Sequence, residues 1–209
     1  MKKEFIYILL GLVSTGNVHA QRMPDVVRNM PDSILPLLTK NDRLDFVDYL
    51  DSNMKAEVTN KFGGKSEMTI VTNDYAHIKM TGSSDVSFKL LPNGGDSIIC
   101  VVQTFTSGVA SSVLKFYTKE WEVLPSKAFV SIPPIKDFFS FPETLGKAEQ
   151  ENLINKIDVC FVKAEFVKDS NDLAFALTTP NYLSEEDRES MAKFLKQSVT
   201  LNWNGERFE

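Results

Sequence analysis

Residues 30–50, MPDSILPLLTKNDRLDFVDYL, place one arginine and four aspartates among apolar side chains. Clustered carboxylates can act as general acids and bases, so this stretch is the first candidate for a catalytic site. At 100° per residue, however, Asp42, Asp45 and Asp48 fall on the side of a helix opposite its apolar residues. The spacing therefore predicts a solvated helix face at these positions and not a catalytic cluster.

Arg43 and Asp51 do not fit this solvated face, because both fall on or beside the apolar side of the same predicted helix. Eight helical residues separate them by about 12 Å along the axis, which is too far for a direct bond. A buried charge needs a partner. We therefore predict that Asp51 accepts hydrogen bonds from backbone or a basic side chain of the sheet layer. Arg43 and Asp51 are also candidate binding residues.

Three carboxylates, Asp51, Glu120 and Asp158, lie beside apolar or aromatic residues. A pair of them could supply the two acids, about 5 to 9.5 Å apart, that glycoside hydrolysis requires. An acidic chain always contains such residues, so the pattern is weak. A secreted hydrolase that uses a carboxylate pair is the alternative to a non-catalytic protein.

His77 is the one histidine that follows residue 20, and a zinc site would need further ligands at typical spacings. It alternates with the apolar Ala76 and Ile78, which predicts that it lies on the polar face of a strand. The stretch 169–172, Asp-Ser-Asn-Asp, lacks the spacing of an EF-hand loop and predicts a hairpin turn. No metal or other cofactor is predicted.

The two cysteines, Cys100 and Cys160, lie in the strand-like stretches SIICVVQTF and VCFVKAEF. Alternation places each on the apolar face of its strand, so both are predicted to be buried. Export would allow a disulfide between them, and two free buried thiols are equally compatible with the pattern. Spacing alone leaves these alternatives open.

The N-terminus has the order of parts found in a secretory signal peptide. Lys2 and Lys3 precede the apolar run 5–13, FIYILLGLV, and Val18 and Ala20 occupy the −3 and −1 positions. Nine apolar residues are too few to span a bilayer, which needs about 20. The pattern predicts cleavage after Ala20 and a periplasmic or secreted protein.

Charge and length limit what the remaining chain can be. Removal of Lys2, Lys3 and Glu4 with the signal peptide changes the formal net charge of the 209-residue chain from −5 to −6. An acidic protein without a basic patch is poorly suited to nucleic acid, and no further run predicts membrane insertion. Residues 21–209 are predicted to form a single domain, with 21–135 and 146–209 as possible sub-units.

The elements that must position these residues change type along the chain. Helical periodicity predicts helices within 24–54, and alternation then takes over. The predicted elements that follow are strands at 66–72, 75–80, 84–91, 97–105, 112–118 and 121–124, a helix at 146–156, strands at 158–168 and 172–178, a helix at 185–196 and a strand at 198–203. Short Asn, Asp and Gly turns between strands favour an antiparallel meander. We predict an α+β fold, a mainly antiparallel sheet covered by the N-terminal helices and one late helix.

Aromatic residues supply the remaining candidate binding site. Trp121, Phe138, Phe139 and Phe141 could line a groove for a ligand, although core packing is the more usual role of such rings. We therefore expect an exported, non-catalytic protein of the cell envelope. It would act as a binding or interaction module for a protein or glycan ligand there.

Four stretches are similar to a known family: MPDSILPLL (30–38), NDRLDFVDYL (41–50), VLKFYTKEW (113–121) and NWNGERF (202–208). They resemble a family of exported Bacteroidales proteins that is catalogued as a domain of unknown function. The resemblance extends across nearly all of the chain after residue 20 and implies export and one shared architecture. None of the four stretches is a catalytic motif, and the resemblance implies no substrate.

Overall fold

The computed structural model describes residues 22–209. The predicted signal peptide, residues 1–20, and the cleavage after Ala20 lie outside the described residues. Within the described part of the chain, no helix is both long enough and apolar enough to cross a bilayer.

Two N-terminal helices pack on the first sheet: α1, Met23–Arg28, and α2, Lys40–Asp51. The Thr39 hydroxyl accepts a bond from the Asp42 N–H at 3.2 Å, and the Asp42 carboxylate accepts one from the Thr39 N–H at 2.6 Å. This reciprocal capping box fixes where α2 begins. Residues 32–38 form successive turns where the sequence predicts a short helix, because a proline within them lacks a helical N–H.

The first sheet has seven antiparallel strands, and their order in the sheet is their order in the chain. They are β1 Ala56–Thr59, β2 Lys65–Val71, β3 Tyr75–Thr81, β4 Ser84–Asn93, β5 Asp96–Ser107, β6 Val109–Tyr117 and β7 Val123–Leu124. The α+β class and the antiparallel meander are confirmed. β1 is an addition to the predicted strands, because four residues are too short a run for alternation to show.

A β-bulge in β2 changes which face of the sheet its side chains occupy. The pairing with β3 passes from Met68 directly to Ile70, so Thr69 is an extra residue without a partner. Thr69 and Ile70 therefore both lie on the face turned away from the helices. Val71 returns to the helix-covered face, where it packs against the core.

A second antiparallel sheet packs on part of this other face, in the order β10-β9-β8. Its strands are β8 Val162–Phe166, β9 Leu173–Leu177 and β10 Val199–Leu201. The remaining helices are α3 Ser126–Phe129, α4 Lys147–Asn155 and α5 Glu185–Ala192, with 3₁₀ turns at Ile135–Phe138 and Thr179–Tyr182. The Ser184 hydroxyl caps α5, which ends four residues before the predicted end.

Buried side chains form a cluster between each pair of layers. The first cluster lies between the helices and the seven-stranded sheet and contains Phe46 and Phe88. The second lies between the two sheets and contains Phe116 and Phe175. A smaller third cluster joins α4, α5 and the segment before them. The second cluster contains residues from both halves of the chain, so it ties the two sheets together.

The cysteines have different environments. Cys100 is buried at the centre of β5, as predicted, whereas Cys160 is exposed and both thiols are free. The prediction that Cys160 is buried is wrong because β8 begins only at Val162, so alternation does not apply to residue 160. Burial raises the pKa of the Cys100 thiol well above its ordinary value, and partial burial raises the pKa of Cys160 less strongly.

Native protein is therefore expected to react with a thiol reagent at Cys160 only, with Cys100 reacting after unfolding. Mass spectrometry of protein labelled with and without urea measures the two reactions. Cys160→Ser is the control and should abolish native labelling. Equal native labelling of both cysteines would contradict the placement of Cys100 in the sheet.

Candidate functional site

The second sheet leaves the outer face of β2, β3 and β4 open, and the open space beside it forms a groove. One wall is residues 164–171, which comprise the end of β8 and the turn after it. Two adjoining cavities of about 520 and 340 Å³ make up this space and share Ile70, Tyr75 and Phe166. We refer to it as the sheet groove. Its size is in the range of ligand sites in proteins.

An ion pair is built into one end of the sheet groove. Lys89 is buried in the sheet and donates to the Asp74 carboxylate at 2.7 Å. Partial burial alone would raise the pKa of Asp74, but the hydrogen bonds from Lys89 and Thr72 outweigh it and lower that pKa. The pair thus presents a fixed, ionised carboxylate beside the cavity.

Tyr75 lies between the two cavities. Its hydroxyl is 3.2 Å from the Ser87 hydroxyl, and its ring meets Phe166 edge-to-face with centroids 6.0 Å apart. Burial raises the pKa of Tyr75, so the phenol stays protonated at neutral pH. Tyr75 therefore offers both a hydroxyl and an aromatic edge at a fixed position.

His77 holds a third polar group in the other cavity. Its Nδ1 lies 2.7 Å from the Thr69 hydroxyl, and its Nε2 lies 3.6 Å from the Asp85 carboxylate. The hydroxyl can donate or accept, so either neutral tautomer of the ring satisfies it. His77 lies on the polar face of its strand, as predicted, and β-bulge geometry brings Thr69 to the same face.

The sheet groove is acidic overall. The charged side chains that line it are Asp74, Asp85, Glu165, Asp169, Lys89 and Lys168. Four carboxylates and two lysines give these residues a formal charge of −2 with His77 neutral. A ligand that is neutral or positively charged is therefore favoured over an anion.

The turn at 169–172 is held by hydrogen bonds to Asp172. Ser170 donates to Asp172 at 2.7 Å, and the other Asp172 oxygen accepts the Trp203 N–H at 3.0 Å. These bonds support a hairpin turn between β8 and β9, as the sequence predicts. Among residues 22–209, no group of three or more His, Cys, Asp or Glu side chains is placed to hold a metal ion.

Arg43 lies on the buried side of α2, as predicted, with 1 % of its side chain exposed. It donates to the carbonyl oxygens of Met30 at 2.8 Å and Leu38 at 3.3 Å, and to Asp32 at 2.5 Å. The bond from Arg43 lowers the pKa of Asp32. Arg43 therefore holds the turns before α2 in place and lies on the opposite side of the sheet from the groove.

Asp51 is exposed, and the prediction that the sheet layer donates hydrogen bonds to it is wrong. Its carboxylate is 63 % exposed and lies 3.4 Å from the Arg28 guanidinium, which also bonds Asp48 at 2.9 Å. Asp51 lies in the last turn of α2, about a quarter turn from the centre of the buried face, so its carboxylate reaches water. Of the three aspartates predicted on the solvated face, Asp48 is exposed, whereas Asp42 and Asp45 are partly buried.

Asp51→Ala is therefore expected to change the free energy of unfolding by less than about 0.5 kcal/mol, because exposed ion pairs are weak. Asp45→Ala should have an equally small effect. Urea unfolding of both variants at neutral pH measures the difference. A loss of more than about 1 kcal/mol for Asp51→Ala alone would contradict its surface position.

The aromatic candidates lie in the core and do not line the sheet groove. Trp121 is buried against Phe88, at a centroid distance of 6.2 Å, and adopts a left-handed backbone conformation with φ of 67°. Phe138 lies in the second cluster. Phe139 and Phe141 stack at 5.1 Å in the third. Core packing accounts for the position of each ring.

The carboxylates that the sequence suggested as a catalytic pair do not form a site. Asp51, Glu120 and Asp158 are exposed on three separate segments, and none of them lines the sheet groove. The groove is formed by Tyr75, Lys89 and other residues that alternation placed simply on the polar face. The sequence did contain an indication of this site. Two neighbouring strands carry polar residues at paired outward positions, which are Tyr75 with Lys89 and His77 with Ser87.

The comparisons with known proteins agree with this architecture. A solved domain of an uncharacterized protein from Porphyromonas gingivalis W83 is 26% identical to this chain, with a TM-score of 0.77. The match covers 91% of this chain and 98% of that one. A search of curated proteins found no match. The family model described as "Protein of unknown function (DUF3256)" matches residues 15–208, and the chain belongs to this family.

Proposed function

We propose that the protein is an exported, non-catalytic binding module of the cell envelope whose ligand site is the sheet groove. The observation that carries this proposal is the set of polar side chains fixed along the groove floor. Lys89 with Asp74, Tyr75 with Ser87, and His77 with Thr69 form hydrogen-bonded pairs. A site whose side chains are already held in place loses little conformational entropy on binding.

The N-terminal sequence supports the export part of the proposal. A basic start, an apolar run of nine residues and small residues before position 21 arrive in the order that signal peptidase requires. The ligand would then be a protein or glycan of the envelope. N-terminal sequencing of protein from a periplasmic or culture fraction should begin at Gln21. Recovery with Met1 intact in the cytoplasm would contradict export.

Binding is tested by adding two separately prepared fractions of a Bacteroidales envelope, peptides and oligosaccharides, to ¹⁵N-labelled protein. We expect amide shifts confined to β2, β3, β4 and residues 164–171 with one of the fractions. Tyr75→Phe keeps the ring and removes the hydroxyl, so it should weaken binding about fivefold, the effect of one neutral hydrogen bond. Tyr182→Phe is the matched control, because Tyr182 is exposed and does not line the groove.

Three results would contradict the proposal. Shifts outside the groove, or none with either fraction, would remove the groove as the binding site. Turnover of a component of either fraction that is lost in His77→Ala would make the protein a hydrolase, with Thr69 and Asp85 flanking the imidazole. Turnover lost instead on substitution of Asp51, Glu120 or Asp158 would support the carboxylate-pair alternative.

A further inference from the structure

The two sheets differ in width, and the difference lies at the groove. The first sheet has seven strands and the second has three, with β8 at one edge. The second sheet packs over β5 and β6 through β8, which reaches β6 by a bond from the Ala164 N–H to the Ser112 hydroxyl at 2.9 Å. At the Phe166 end of β8, the next strand position would lie over β2, β3 and β4. That position is the sheet groove.

The hydrogen-bond pattern of β8 shows which backbone groups face this position. The Val167 N–H donates to the Asp172 carbonyl at 3.0 Å, so Val167 faces β9. Successive residues of a strand alternate in direction, and the Ala164 N–H correspondingly points away from β9. By the same alternation, Phe166 directs its N–H and C=O away from β9. Phe166 also lines both cavities of the groove.

We infer that the groove ligand is an extended peptide segment of another protein, which adds to β8 as a fourth strand of the second sheet. This inference rests on the proposed binding function and names its ligand class. Main-chain bonds to Phe166 give such a complex its affinity, and the side chains of alternate peptide residues enter the groove. The Ala164 N–H is already bonded to Ser112 of β6, so the open part of the β8 edge is its Phe166 end, and the paired core of the ligand is about two to three residues.

The charge of the groove selects the side chains of that peptide. Asp85 and Glu165 lie near Tyr75, where floor-facing side chains of a bound strand would point. The formal charge of −2 favours lysine or arginine at these alternate positions. The unpaired N–H and C=O of a strand edge favour a peptide over a glycan. A peptide backbone carries both an acceptor for the N–H and a donor for the C=O, at the spacing of the strand.

The test compares two substitutions of one residue. Phe166→Ala removes the aromatic wall and keeps the backbone N–H, whereas Phe166→Pro removes both. Proline is tolerated here because the Phe166 N–H does not bond β9. A random decapeptide display library is selected on wild-type protein. Enriched peptides should carry basic residues at alternate positions, and Phe166→Pro should weaken them at least about tenfold more than Phe166→Ala does.

A second measurement does not depend on how well the proline variant folds. Hydrogen exchange of the Phe166 amide in wild-type protein should slow at least about tenfold when a selected peptide binds. No enrichment, or unchanged exchange of this amide, overturns the peptide inference. If a panel of neutral oligosaccharides then shifts groove amides and Tyr75→Phe weakens that binding, the proposed function stands with a glycan ligand. If neither class shifts groove amides, both proposals fail.

Discussion

Replacing Arg43 with alanine is expected to lower the free energy of unfolding by about 3 kcal/mol. The buried guanidinium donates to two main-chain carbonyls, those of Met30 and Leu38, and to the Asp32 carboxylate. Its removal leaves both carbonyls without this donor and opens space beneath α2. For a domain of this size the melting temperature should fall by about 6 to 12 °C.

Arg28→Ala is the matched control for this experiment. Arg28 also belongs to a helix and also pairs with aspartates, but the pairs lie at the surface, where its side chain is 30% exposed. We expect a loss below about 1 kcal/mol. Urea unfolding at neutral pH gives both values. Equal losses for the two arginines would mean that Arg43 does not hold the turns before α2.

Phe116→Ala should have the largest effect, a loss of about 4 kcal/mol, because a large buried ring leaves a cavity that the neighbours cannot fill. Phe116 lies in β6 with no exposed surface. Its ring stacks on Phe129 at 4.9 Å and approaches Phe208 at 6.3 Å. Val113→Ala, at an exposed position of the same strand, is the control and should cost less than about 1 kcal/mol.

Because Phe116 joins the two sheets, we also expect its loss to destabilise the whole chain together. The two tryptophans report on the two parts, since Trp121 packs in the first cluster and Trp203 beside the second. Their fluorescence, measured in Trp121→Phe and Trp203→Phe variants, should change at one urea concentration. Two separate transitions would show that 21–135 and 146–209 are independent sub-units.

Local pattern predicted the parts of the fold that depend on neighbours in sequence. The alternation of apolar and polar residues predicted β2 to β6, because each of these strands keeps one face in the core. The capping box of Thr39 and Asp42 is also local in sequence, but helical spacing did not predict that α2 begins there. The buried position of Arg43 also followed from helical spacing, although its partners in the preceding turns did not.

The sheet groove could not be predicted in this way, because it depends on where β8 lies over the first sheet. That position is fixed by contacts such as the bond between Ala164 and Ser112, which are 52 residues apart. The prediction for Asp51 was wrong for a local reason. The angle of a residue around a helix does not show whether a carboxylate in the last turn reaches water. The prediction for Cys160 was wrong because the residue at which a strand begins is harder to predict from sequence than the strand itself.

The extra residue in β2 has a consequence for how members of this family can differ in length. Loss of Thr69 would leave Met68 and Ile70 as consecutive paired residues and restore regular alternation, with Val71 still facing the core. A deletion elsewhere in the strand would turn every later side chain to the wrong face. A relative that lacks this residue would therefore keep the register of the rest of the strand. Such a change would alter the hydroxyl beside His77 and leave the hydrophobic core intact.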